Sequence, residues 1–155
     1  MTFREEDYMS KIKEAFDKIL AEKKIPANYK EIENGHHLYR LQFKASETKL
    51  LMVEIIIQES EDPYVDSQII YRHVHLLNDY NKRGEALDLI NELNEMKTGY
   101  YTLHLAMDGE IFLRNIIRVG EDVTPLYETV VYGARIARGL IPALVEKLGK
   151  SSEIG

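Results

Sequence analysis

YYTLHLAMDGEIFLRNIIR, residues 100–118, is the stretch that decides the fold. Asp108-Gly109 sits between two apolar runs. An Asp-Gly pair tolerates the positive φ angles of a tight hairpin turn, so 100–107 and 110–118 read as two antiparallel arms. Working back from that hairpin, 78–96 carries Leu87, Ile90, Leu93 and Met96 at helical spacing, with Asn78 or Asn81 as its cap and Gly99 as its stop. Residues 68–77 alternate as a strand. Before them, 59–67 is an acidic loop containing Pro63.

Two further strands precede that loop. In 37–45, Tyr39, Leu41 and Phe43 fall on one face and Arg40, Gln42 and Lys44 on the other. In 50–58, Leu51, Val53, Ile55 and Ile57 oppose Met52 and Ile56, which predicts a central strand covered on both faces or nearly so. Asn34-Gly35 predicts a turn from a short strand at 29–33. A first helix is expected over 4–23, with Tyr8, Met9, Ile12, Phe16, Ile19 and Leu20 along its apolar stripe. The last helix opens at Thr124-Pro125 and keeps its spacing from Leu126 to Leu148. Pro142 is expected to bend or divide it after Leu140.

Hairpins make neighbouring strands antiparallel, and helices must cover at least one sheet face. The expectation is therefore one α+β domain over 1–150, with an antiparallel sheet, N-terminal, middle and C-terminal helices, and a frayed tail at 151–155. A dinucleotide fold would alternate strand and helix behind a glycine-rich turn, and this chain does neither.

Composition narrows the chemistry. The chain has 155 residues, 26 acids and 20 bases, for a formal charge of -6, and it has no cysteine. Thiolate chemistry and disulfides are excluded. The acidic balance argues against a nucleic-acid partner. No apolar run approaches the roughly 20 residues that span a bilayer, so neither a membrane partner nor a span is expected. The amino terminus carries no secretion signal, and cytoplasm is the default location.

No nucleophile-elbow, Walker or zincin motif occurs. His73 and His75, two apart on a strand, would share a face and could ligate zinc if a third group arrived, with His36, His37, His104 and Asp79 as candidates. The same face carries Ile69 and Tyr71 and could equally be packing. The expected metal and cofactor are none. Glu59, Glu61, Asp62 and Asp66 crowd one loop without calcium-loop spacing. Arg114, Arg118, Arg135 and Arg138 would form an anion patch or pair with carboxylates. Ten tyrosines and no tryptophan suit either contact surfaces or core edges.

The segments 77–81 (LNDYN) and 103–113 (LHLAMDGEIFL) give the chain a resemblance. It resembles the YbjN-like family and the wider type III secretion chaperone-like fold, in which an asparagine-containing turn precedes the middle helix and a hairpin separates it from the last one. The resemblance implies no enzyme and no catalytic residue. It implies a protein- or peptide-binding regulatory or chaperone-like module, often a homodimer. The alternatives are a small-molecule-binding or metal-dependent enzyme, or a structural protein. The expected contact surface is Tyr101, Leu103, Met107, Phe112 and Ile116 on the 100–118 hairpin.

Overall fold

The structure is a computed structural model that describes the backbone of residues 5–152 and the side chains of 11–152. The expected roles of Tyr8 and Met9 and the expected fraying of 153–155 lie outside the described residues. In chain order the elements are α1 (Glu5–Glu22), β1 (Asn28–Glu31), β2 (His37–Lys44), β3 (Leu50–Ile57), β4 (Val65–Leu76), α2 (Arg83–Met96), β5 (Thr102–Leu105), β6 (Glu110–Val119) and α3 (Thr124–Leu148). The six strands form one sheet in the order β1-β2-β3-β4-β6-β5, and every neighbouring pair is antiparallel. This is the expected α+β architecture. The excursion through α2 sends β5 to the edge, and β6 returns between β4 and β5.

Alternation separates the faces. Tyr39, Leu41, Leu51, Val53, Ile55, Ile69, Tyr71, Leu103, Ile111 and Leu113 point to one side and are buried under the helices. Burying each aliphatic side chain contributes roughly 1.5–3 kcal/mol. Phe16 of α1 meets Tyr39 edge-on at 4.9 Å. Tyr101 donates to Thr129 O of α3 at 2.5 Å, and Tyr71 donates to Val130 O. These rings pass directly over Gly133, where a Cβ would collide with both. Among the described residues no helix covers the other sheet face. Met52 and Ile56 are only half-buried, so β3 is central but covered on one face, not two. Three helices suffice for one side of a six-stranded sheet.

Several local expectations change. The buried face of α2 is Ala86, Leu89, Ile90 and Leu93, while Leu87 and Met96 point outward. Asp79, not an asparagine, accepts the Asn81 N–H ahead of that helix. Asp122, not Thr124, supplies the acceptor at the start of α3, taking the Thr124 N–H at 3.1 Å. α3 runs undivided through Pro142. The residues on either side of it, Leu140, Leu144 and Leu148, are buried, and that packing outweighs the one missing N–H.

Ser151 and Ser152 are not frayed. Ser151 Oγ accepts the Leu76 N–H at 2.9 Å and Ser152 N donates to Leu76 O at 3.1 Å. The reason is strand parity. Leu77 N–H turns toward β6, donating to Gly109 O, so Leu76 faces the β3 side. The β3 ladder has already ended there, at Met52↔Arg72. The tail satisfies backbone groups that would otherwise lack partners.

Candidate functional site

The alternative zinc pair, His73 and His75, is parted by one irregularity. Tyr71 faces Leu113 and His75 faces Ile111, so residues 72–74 stand opposite Phe112 alone. This bulge places His73 at φ 51°, in the left-handed region. His73 is turned outward and half-exposed, whereas His75 is fully buried on the helix side. They do not share a face. Among the described residues no group of three or more His, Asp or Glu is arranged to hold a metal. Neither His75 ring nitrogen has a hydrogen-bond partner among the described residues, and burial followed by the nearby Lys49 charge lowers its pKa.

Glu110 holds the bulge in place. Its carboxylate is buried, accepts from Arg72 Nη2 at 2.7 Å and from the His73 N–H at 2.8 Å, and lies 3.3 Å from His73 Nδ1. Glu54 continues the row, 3.7 Å from Arg72 Nε and 3.0 Å from Arg40 Nε. Opposite charges therefore alternate across four strands of the open face.

Beside the bulge lies a cleft of about 690 Å³. Its walls come from the β2–β3 turn, the outer side of β4, the last turns of α3 and the docked tail. Leu50, Met52, Leu76, Ile141 and Val145 supply apolar surface. Ser46, Thr48, Ser151 and Ser152 supply hydroxyls. The charged lining is entirely basic: Lys49, Arg72 and Lys150, together with His73. Glu110 and Glu54 answer the Arg72 charge. Lys49 has no carboxylate partner among the described residues, and its ammonium donates to Val74 O at 2.9 Å. Burial lowers its pKa. A desolvated cation without a counter-charge, in an acidic protein, favours an anion in this cleft.

The expected contact surface divides in two. Tyr101 and Leu103 are 3% and 2% exposed and belong to the core. Phe112 is half-buried on the open face, Ile116 there is 62% exposed, and Met107 at the hairpin tip is 78% exposed. Register explains the split. Leu103 faces Leu113 and both turn to the helices, which sends 112 and 116 to the other side. The β5 edge is occupied as well. Asn94 of α2 donates to Leu103 O at 3.1 Å and accepts the Leu103 N–H at 2.7 Å, standing in for a seventh strand.

The four arginines do not converge. Arg118 pairs with Asp66 at 3.1 Å, and Arg138 donates to Lys44 O at 2.8 Å. The acidic loop likewise disperses, with Glu59 turned inward to His37 at 2.8 Å. Sequence reading missed Lys49 and Glu110, which gain their meaning from the bulge, and the docking of the tail, which follows from where the β3 ladder ends. Among the described residues no helix is long and apolar enough to cross a membrane. Compared with known proteins, the chain matches no family model and no curated sequence.

Proposed function

We propose that this chain is a non-catalytic binding module whose cleft beside the β4 bulge takes a polypeptide segment presenting a carboxylate next to an apolar side chain. The observation that carries the reading is Lys49, a half-buried ammonium with no carboxylate partner among the described residues, set beside an apolar wall. A carboxylate there gains a charge-assisted hydrogen bond and relieves a desolvated cation. Leu50, exposed at 58%, and Val145, at 40%, lose apolar surface to solvent contact when covered. The hydroxyls of Ser46 and Ser151 add acceptors and donors for peptide groups. The resemblance to YbjN-like and secretion chaperone-like proteins points to the same class of work.

Fluorescence anisotropy tests it with labelled hexapeptides containing adjacent Glu and Leu, against counterparts with Gln for Glu. The Glu peptides bind more tightly, lose affinity as salt rises, and lose roughly tenfold with Lys49→Met, about 1.4 kcal/mol. Equal binding of Gln and Glu peptides, or indifference to Lys49→Met and Lys150→Gln together, overturns the reading.

The homodimer belongs to this proposal too, through the open sheet face. Ile116 and Phe112 share the open face with the half-buried Ile56 and Ile70, and the alternating charges of Arg40, Glu54 and Arg72 let a two-fold copy set opposite signs together. Sedimentation equilibrium at micromolar concentration reads a mass above the 18.0 kDa chain that Ile116→Lys returns to it. A single chain mass at all concentrations counts against the dimer.

A further inference from the structure

At the opposite end of the sheet from the cleft, three side chains form a line. Tyr29 Oη lies 2.7 Å from His37 Nδ1, and His37 Nε2 lies 2.8 Å from Glu59 Oε2. A carboxylate only accepts, so the tautomer that suits Glu59 carries the imidazole proton on Nε2. Nδ1 then offers its lone pair, and the Tyr29 hydroxyl is the donor. That is the connectivity of a hydroxyl, a base and an orienting carboxylate.

Anchoring β1 does not account for all of it. The Tyr29–His37 bond alone would tie β1 to β2. Glu59 adds a carboxylate only 17% exposed, whose Oε1 has no partner among the described residues. Its contact with His37 is close but short of a well-aligned hydrogen bond. A buried, half-satisfied carboxylate is costly. It becomes favourable when His37 turns into imidazolium, because the anion then gains its counter-ion. Tyr29 itself is reachable, at 42% exposure on an edge strand.

We propose that Tyr29, outside the binding cleft, takes a single acyl group without turnover from activated, uncharged acyl esters, with His37 as its general base and Glu59 as the counter-ion of the imidazolium. His37 Nδ1 takes the phenolic proton as Tyr29 Oη attacks the ester carbonyl carbon. The bond from that carbon to the leaving oxygen breaks, and the departing oxyanion, a weaker base than the tyrosyl phenolate, receives the proton from His37. The products are a tyrosyl ester and the protonated leaving group, and nothing is oxidised or reduced.

The surroundings select the donor. Lys13 from α1 and His37 and Tyr39 from β2 contact the Tyr29 ring, and the charges of Glu31, Asp17 and Glu59 act on its hydroxyl. Three carboxylates against one lysine repel phosphoryl and other anionic donors. Burial, opposed by Lys13, holds the Tyr29 pKa above the ordinary phenol value. The hydroxyl therefore keeps its proton until a base removes it, which is the condition in which a positioned imidazole matters.

The test is acetylation of the full chain by p-nitrophenyl acetate, with sites assigned by peptide mass spectrometry. Tyr64, Tyr80 and Tyr100 are 58%, 59% and 74% exposed and serve as internal references. Tyr29 acetylates at least roughly tenfold faster than these, a modest part of what a positioned base contributes. Its rate does not follow ionisation of the phenol, at about pH 10 for a free phenol. His37→Asn removes the advantage and Glu59→Gln reduces it, with helicity checked in each. Tyr29 reacting no faster than the references, or following phenol ionisation in the unaltered protein, overturns the proposal whether or not the variants fold.

Discussion

Asn94 grips both backbone polar groups of Leu103, accepting its N–H at 2.7 Å and donating to its carbonyl at 3.1 Å. One side chain thus does for the β5 edge what a neighbouring strand would do, and it blocks strand addition there. Asn94→Ala strands a donor and an acceptor, costing about 1–3 kcal/mol by urea denaturation. Asn94→Asp keeps the acceptor but sets a carboxylate against Leu103 O, so it costs at least as much. Both variants expose the edge and raise the tendency to aggregate on storage, read by light scattering.

Gly133 and Gly139 lie on the same helix and respond in opposite directions to alanine. A Cβ at Gly139 meets nothing within 4 Å, so Gly139→Ala stabilises by roughly 0.5–1 kcal/mol through helix propensity. At Gly133 the new methyl strikes the Tyr71 and Tyr101 rings. Gly133→Ala therefore destabilises by about 1–3 kcal/mol, the usual range for overpacking. Thermal melts of the two variants decide it.

His75 makes stability fall in mild acid. Burial lowers its folded pKa below the unfolded value of about 6.5, so the unfolded chain binds the proton first. The stabilisation from a neutral His75 is complete above that unfolded value and is lost as pH drops from it through the folded one. Chemical denaturation between about pH 7 and 5 reads a declining midpoint. His75→Leu flattens the decline. The slope that remains includes His104, which burial and then Arg114 lower in the same direction.

Replacing Glu110 loosens the bulge. Glu110→Ala leaves the His73 N–H and one side of Arg72 without an acceptor and costs about 1–3 kcal/mol, limited because Arg72 is partly exposed and keeps Glu54 nearby. Glu110→Gln retains a carbonyl for the His73 N–H and costs less. Hydrogen exchange at the His73 amide rises in the order wild type, Gln, Ala.

The sheet was legible because its signals are local. Asp108-Gly109 and Asn34-Gly35 mark turns, and the alternation through Tyr39, Leu41 and Phe43 marks a covered face that the structure keeps. What parity could not carry was the bulge after Tyr71. Two added residues leave no trace in a run where either face is apolar, and His73 and His75 parted there. The hairpin faces were confused for a related reason: Tyr101 and Phe112 are equally apolar, and only register separates core from surface. Lys49, Glu59, Asn94 and Glu110 owe their roles to partners far along the chain, and nothing adjacent in sequence marks them.

The placement of β6 between β4 and β5 bears on how the chain reaches this state. β4 cannot find its second neighbour until residues 77–109 have been made and β6 has followed them. During synthesis the β1–β4 meander can assemble while one long flank of β4 remains an open template. The order of emergence thus makes α2 and β5 a delay as well as a connection. A folding rate limited by that late, distant pairing follows, slower than the local hairpins alone would give.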